Sequence, residues 1–266
     1  MPTAPLATAP NSANLLLGRG KLFGDRLSLV NGVYVRTGAF DLGNCTAFEI
    51  TPKASVKEKF ESMDQASSLY GRAVIQQTHS IKITGDEYSL FNLINAVMGS
   101  QGQINVTGAT VSGTPGETVC AGTTQAGAWY SLQYREVSAV TLKLGATTLV
   151  AGTDYILDAA RGRVQILAGG AGVGAGPLTA GYTYASYTYN TVQGGTQSSV
   201  RMYLNFLGNP VEGPTYEGEF WHVHFTPNGN LGFIADDFGN WTIEGMCIAD
   251  QINHPTEPLY RLVQVA

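Results

Sequence analysis

The sequence predicts a mainly β fold with one flanking α-helix and a small β domain inserted into a larger one. Three observations carry that expectation. Apolar and polar residues alternate in short runs along most of the chain; glycines and other turn residues separate those runs; and one stretch, Ile81 to Gly99, shifts its apolar period from two to about 3.6.

Composition bounds the function. The chain has 266 residues, 33 of them glycine; it is 44% hydrophobic, only 13% charged, and has a formal net charge of −5. Soluble domains average about 25% charged residues. Much of this surface must therefore be covered by something else, either subunit contacts or the glycine- and threonine-rich exterior of a β protein displayed outside a cell. The mild acidity gives no broad basic footprint for gripping nucleic acid. Cys45, Cys120 and Cys247 are odd in number and far apart, which favours free thiols in a reducing cytoplasm over a disulfide framework. Residues 1–13, rich in Ala, Pro and Thr, read as a flexible arm and neither as a secretory signal nor as a membrane span.

In chain order, residues 14–26 read as short strand interrupted by Gly18, Gly20 and Gly24, and Tyr34 to Ile50 continues the β pattern up to Pro52. Ser55 to Tyr70 is the most charged stretch, with Lys57, Glu58, Lys59, Glu61 and Asp64 crowded around Val56 and Phe60; it reads as a solvated hairpin tip or as a loop that docks on a neighbour. Val74 to Thr84 is a second long strand that leads into the helix. There Asp86 is the expected N-cap, Leu90, Leu93, Ile94 and Val97 form the buried stripe widened by Tyr88 and Phe91, and Gly99 is the expected C-terminal glycine. The other side of this helix, with Glu87 and Asn92, reads as exposed.

After Gly99 the composition shifts to Gly and Thr with almost no charge. Short strands follow at Val140–Leu144, Tyr155–Leu157 and Arg163–Leu167, then a glycine run from Ala168 to Gly181 and tyrosines 182, 184, 187 and 189. Residues 104–190 therefore read as the inserted domain, and 14–103 with 191–266 as the discontinuous main one. Beyond Val200 the expected strands are Glu217–Phe225, Leu231–Ala235, Trp241–Ala249 and Leu259–Val265.

Candidate chemistry is thin. His222 and His224 share a strand face but lack further ligands at a recognisable spacing. Asp236 and Asp237, with Glu217, Glu219 and Glu244 nearby, suggest a carboxylate pair, yet adjacent strand residues point to opposite faces. The glycine run lacks the Lys-Ser/Thr and following helix of a phosphate cradle and reads as a loose turn. No serine or cysteine sits in an activating context. No enzyme, cofactor or metal is expected. The tyrosines from 182 to 189 suit either sheet packing or a platform for sugar or nucleobase.

The order of segments Val200–Phe206 with Gly208-Asn209-Pro210, Trp221–Pro227, Leu231–Gly239 and Trp241–Asp250 resembles the tail tube proteins of tailed bacteriophages. So do Leu17–Phe23, Leu42-Gly43-Asn44 and the charged hairpin before a strand and helix. Gly152-Thr153-Asp154-Tyr155 in the insertion looks like small β modules attached to other virion proteins. The resemblance implies a β-sandwich or half-barrel of the tail tube type, six copies closing into a ring, and rings stacking into a hollow tube. That tube would be built around a tape-measure protein, be bounded by tail terminator and baseplate proteins, and conduct DNA at ejection. The protein would fold and assemble in the host bacterial cytoplasm, reside in the virion tail and bind no membrane, and the insertion would face outward.

On this reading Lys57, Glu58, Lys59, Glu61, Asp64, Arg72 and Glu87 are candidate contacts between subunits or rings. Glu49, Glu217, Glu219 and Glu244 are candidate lumen-facing acids, which would repel phosphate so that DNA passes without sticking. The alternatives are a carbohydrate-binding virion or cell-surface adhesin and, more distantly, a hydrolase.

Overall fold

The structure is a computed structural model and describes residues 14–63, 66–114, 116–234 and 236–265. The fold is mainly β. The chain divides into two units, one built from residues up to Gln101 and from Val192 onward, the other from Gly102 to Thr191. The expected N-terminal arm, residues 1–13, lies outside the described residues.

The strands run β1 (Gly20–Arg26), β2 (Ser28–Val30), β3 (Val33–Val35), β4 (Ala39–Asp41), β5 (Cys45–Phe60) and β6 (Leu69–Gly85), followed by helix α1 (Leu90–Ala96) and β7 (Ser100–Val106). The second unit holds β8 (Ala109–Val111), β9 (Glu117–Cys120), β10 (Trp129–Ser131), β11 (Val137–Leu144), β12 (Thr147–Thr148), β13 (Tyr155–Asp158), β14 (Arg163–Ile166) and β15 (Leu178–Tyr184). β16 (Tyr187–Gln193) pairs with β7 and brings the chain back, to β17 (Val200–Gly208), β18 (Thr215–Thr226), β19 (Trp241–Cys247) and β20 (Tyr260–Val265).

The first unit is built on an 8-stranded sheet, ordered β4-β1-β17-β18-β19-β6-β5 with β20 also on β18, and carries β2–β3 as a separate two-stranded sheet. It curls over a single core in which Leu22, Ile81, Ile83, Met202, Leu204, Phe220, Val223, Phe225, Trp241 and Ile243 are buried. Phe48 of the terminal strand β5 stacks on Phe206 of β17 at 5.5 Å and meets Phe220 edge-on at 5.3 Å. Strands far apart in the sheet order therefore touch, as in a half-barrel. A bulge in β18 makes this possible. Met202 pairs with Val223 but Leu204 with Phe220, so Trp221 and His222 occupy the bulge, and the strand changes partner there from β20 to β19. Simple alternation along Glu217–Phe225 would separate Phe220 from Val223 and Phe225, whereas the bulge turns all three into the core.

Helix α1 sits against this core, and its ends correct the expected caps. Ser89 is the N-cap, its hydroxyl accepting from the Asn92 N–H at 3.1 Å, because Asp86 is engaged by the Asn44 side chain instead. At the other end Met98 takes the left-handed conformation with φ of 48°, and Gly99 donates to the Ile94 carbonyl at 2.8 Å, completing a Schellman turn. Gly99 is needed for space: a Cβ there would lie 2.7 Å from the Gln193 carbonyl. Asn92, expected on the exposed side, is buried at 1% exposure, and its amide donates to the carbonyls of Leu42 and Glu87 at 2.8 and 2.9 Å.

Two further expectations are corrected. β5 runs through Pro52, because it is the sheet's end strand and a proline's missing N–H is tolerated on an edge. Leu231 makes only an isolated bridge to Trp241, and no strand forms at 231–234; Tyr88 instead donates to the carbonyls of Gly232 and Asn240 at 2.5 and 2.9 Å, fastening a loop.

The second unit packs sheet β10-β14-β13 and sheet β12-β11-β15-β8, with β9 also on β15, around Leu142, Val164, Ile166, Leu178 and Tyr182. The glycine run is pinned, not loose. Asp154, 6% exposed, accepts from the N–H groups of Val150 and Ala171 at 2.7 and 2.8 Å, and the Thr124 hydroxyl donates to the Gly172 carbonyl at 2.6 Å.

Two outcomes are expected. Gly85→Ala sets a methyl 2.5 Å from the buried Trp241 ring, and should lower stability by about 1–3 kcal/mol in urea unfolding. Because Gly99 and Gln193 already touch, replacing Gly102–Thr191 by a short Gly-Ser linker should leave a first unit that still unfolds cooperatively, read by circular dichroism.

Candidate assembly surfaces

β5 and β6 are 16 and 17 residues long and pair along their whole lengths. The neighbouring strand β19 covers β6 only from Ser80 to Gly85. Thr51–Phe60 and Leu69–Thr78 therefore extend past the sheet as a two-stranded arm. At about 3.4 Å per residue it projects on the order of 30 Å. Both outer edges of the arm are unpaired among the described residues, and both faces are open, with Phe60, Leu69, Tyr70, Val74 and Ile75 each at least half exposed. An isolated two-stranded ribbon is marginal in water, and its free edges are templates for another strand.

Register sorts the arm's side chains. Bulges at Ile75 and Tyr70 fall on β6, so β5 keeps strict alternation. Lys53, Ser55, Lys57 and Lys59 form one face, opposite Thr78, Gln76, Ala73 and Gly71. Val56, Glu58 and Phe60 form the other, opposite Val74, Arg72 and Leu69. Glu58 and Arg72 are 3.5 Å apart and exposed, a pair worth about 0–1 kcal/mol. The Glu61 N–H donates to the Ser68 carbonyl at 3.0 Å and its carboxylate accepts from the Ser68 hydroxyl, closing the tip. Asp64 lies outside the described residues. Glu87 is not on the arm; it stands at the hairpin's root, where its carboxylate accepts from the Asn44 N–H at 3.0 Å.

Glu49, Glu217, Glu219 and Glu244 share the sheet face turned away from the core, because each neighbours inward-facing residues on its strand. That face is mixed in charge. Lys82 lies between Glu49 and Glu244 in register and 3.7 Å from Glu244, while Glu219 accepts from the Tyr203 hydroxyl at 2.8 Å and lies 3.9 Å from Arg261.

On the same face a cleft of about 520 Å³ is bounded by Tyr34, Arg36, Tyr203, Trp221, His222 and His254. The β2–β3 hairpin over it turns at Asn31-Gly32, with φ of 51° and 81°, and leaves Leu29, Val30 and Val33 exposed. Asn31-Gly32 between apolar runs is the sequence pattern that announces such a hairpin, which the expected strands do not include. Buried Asp25 accepts from Arg36 at 2.9 Å and from the N–H groups of Thr37 and Gly38, which anchors the hairpin's return.

His222 Nε2 is 3.0 Å from Arg201 Nη1, so the guanidinium donates to an unprotonated ring nitrogen. Burial first, then Arg201 and His224, hold its pKa below the ordinary value, against the pull of Asp250. Among the described residues no group of three or more His, Cys, Asp or Glu is placed to hold a metal. Asp236 and Asp237 lie on the exposed 231–240 loop.

The chain matches a family model over residues 16–259, described as "Protein of unknown function UCP028589". The chain belongs to that family. The match runs through both units, so the inserted domain is within what the family model describes. No curated protein matches the chain.

The unfolded chain binds a proton at His222 more readily than the folded one. This residue's contribution is thus full above the ordinary histidine pKa and is lost as pH falls toward the folded value. Arg201→Gln should raise the His222 pKa toward its ordinary value, measured by NMR titration of the ring.

Proposed function

We propose that this protein is the subunit of a bacteriophage tail tube, a structural virion component that polymerises as stacked hexameric rings and conducts DNA at ejection. The observation that supports this most is the arm, which carries exposed apolar side chains and unpaired backbone edges that a neighbouring subunit would cover. The low charged fraction fits extensive buried contacts, and the resemblance across both halves of the main unit supplies the ring and tube. The tape-measure protein and the terminator or baseplate proteins would be its partners in the tail. The work would be mechanical, with DNA passing a surface whose charges are largely balanced.

One feature favours the adhesin alternative: a groove of about 620 Å³ in the second unit, lined by Tyr134, Tyr187 and Tyr189 with Arg135 and Arg161. Aromatic faces beside arginines suit a sugar.

Negative-stain microscopy of the purified protein separates the two. Rings or tubes are expected at high concentration, and replacing residues 53–78 by a two-residue turn between the paired Pro52 and His79 should leave a folded monomer. A monodisperse monomer that binds glycans through the second unit would support the adhesin instead.

A further inference from the structure

One face of the β5–β6 arm is basic, while the root of the same hairpin is acidic. On the arm, Lys53, Lys57 and Lys59 share one face with no acidic residue opposite them, and none forms an ion pair among the described residues. At the root, where Cys45 pairs with Gly85, Asp41, Asp86 and Glu87 gather around Asn44, whose backbone N–H donates to Glu87 at 3.0 Å and whose amide donates to Asp86 at 2.6 Å. No Lys or Arg pairs with these acids among the described residues. Burial, followed by the fields of Asp41, Asp86 and Glu87, pushes the Cys45 thiol up to about 11.

We propose that the lysine face of the arm docks on the Asp41, Asp86 and Glu87 end of a second copy of this chain, head to tail. The proposal rests on the tube reading and names the contact that joins one ring to the next. A two-fold contact between arms would set lysine against lysine, so like ends repel and unlike ends attract. The self-complementary arrangement is then a heterologous, open one that propagates along the hairpin. Lys57 and Lys59 stand 12 and 14 positions beyond Cys45 along β5, a span of about 40–48 Å. A contact made by these groups therefore sets a repeat of no more than about 48 Å along the backbone, to which the reach of the side chains is added.

The test uses the full chain. Lys57→Glu/Lys59→Glu makes an acidic arm, and Asp86→Lys/Glu87→Lys makes a basic root; thermal melts check that each folds. Each alone should raise the critical concentration for polymerisation at least about tenfold. The two mixed should assemble again by alternation, since each arm then meets a root of opposite sign. Because the root reversal also removes hydrogen bonds to Asn44, the neutral variant Asp41→Asn/Asp86→Asn/Glu87→Gln keeps the polar contacts and should weaken assembly in the same direction. Wild-type growth should fall as salt shortens the Debye length from about 10 Å at 0.1 M toward 3 Å at 1 M. Variants that polymerise alone like the wild type, or that stay monomeric when mixed, overturn the charge pairing. A wild-type chain that never polymerises overturns the tube reading as well.

Discussion

One hairpin sets the terms for the first unit. β5 and β6 are joined along their full lengths, but only their proximal halves have a core to cover and a third strand to pair with. The proximal half closes the half-barrel by laying Phe48 on Phe206 and Phe220, and Ile81 and Ile83 into the core. The distal half continues the same backbone ladder into water. A ladder begun inside a cooperative sheet can extend beyond it, but its exposed apolar residues and edges gain little until something covers them.

The remaining elements brace the closed end. Trp241 fills the space above Gly85, and its indole N–H donates to the Glu87 carbonyl at 2.9 Å. Asn92 joins that same carbonyl to Leu42, so helix, sheet and the β4–β5 turn meet through two side chains. This rigidity at the root and exposure at the tip make the hairpin a lever held at one end. In the tube reading, the held end keeps the wall and the free end reaches a neighbour.

The period change after Gly85 was legible, as were the two strands flanking the charged stretch and the terminal strand at Leu259–Val265. Compositional shifts near Ile104 and Asn190 lie beside the points where the two units divide. What escaped the sequence depends on partners distant in the chain. Asp86 has the chemistry of an N-cap, yet Asn44 holds it; Asn92 looks solvent-facing until Leu42 provides a buried carbonyl. The bulge at Trp221-His222 reverses strand parity, which no local pattern announces, and Pro52 ends a strand only if that strand has neighbours on both sides. The charged residues at 57–61 and 72 were visible, but their division between a lysine face and an apolar face needed the register and its two bulges.

In the proposed tube a neighbouring subunit covers the distal arm and secures its ladder. Hydrogen exchange read by mass spectrometry tests it most directly, comparing peptides from 51–60 and 69–78 with the core segment 81–85 in dilute and in assembled protein. The expected result is rapid exchange of the arm at low concentration, with the core protected, and protection of the arm rising by about a hundredfold or more on assembly. Arm amides already as protected as the core in the dilute protein, and unchanged at high concentration, would contradict it.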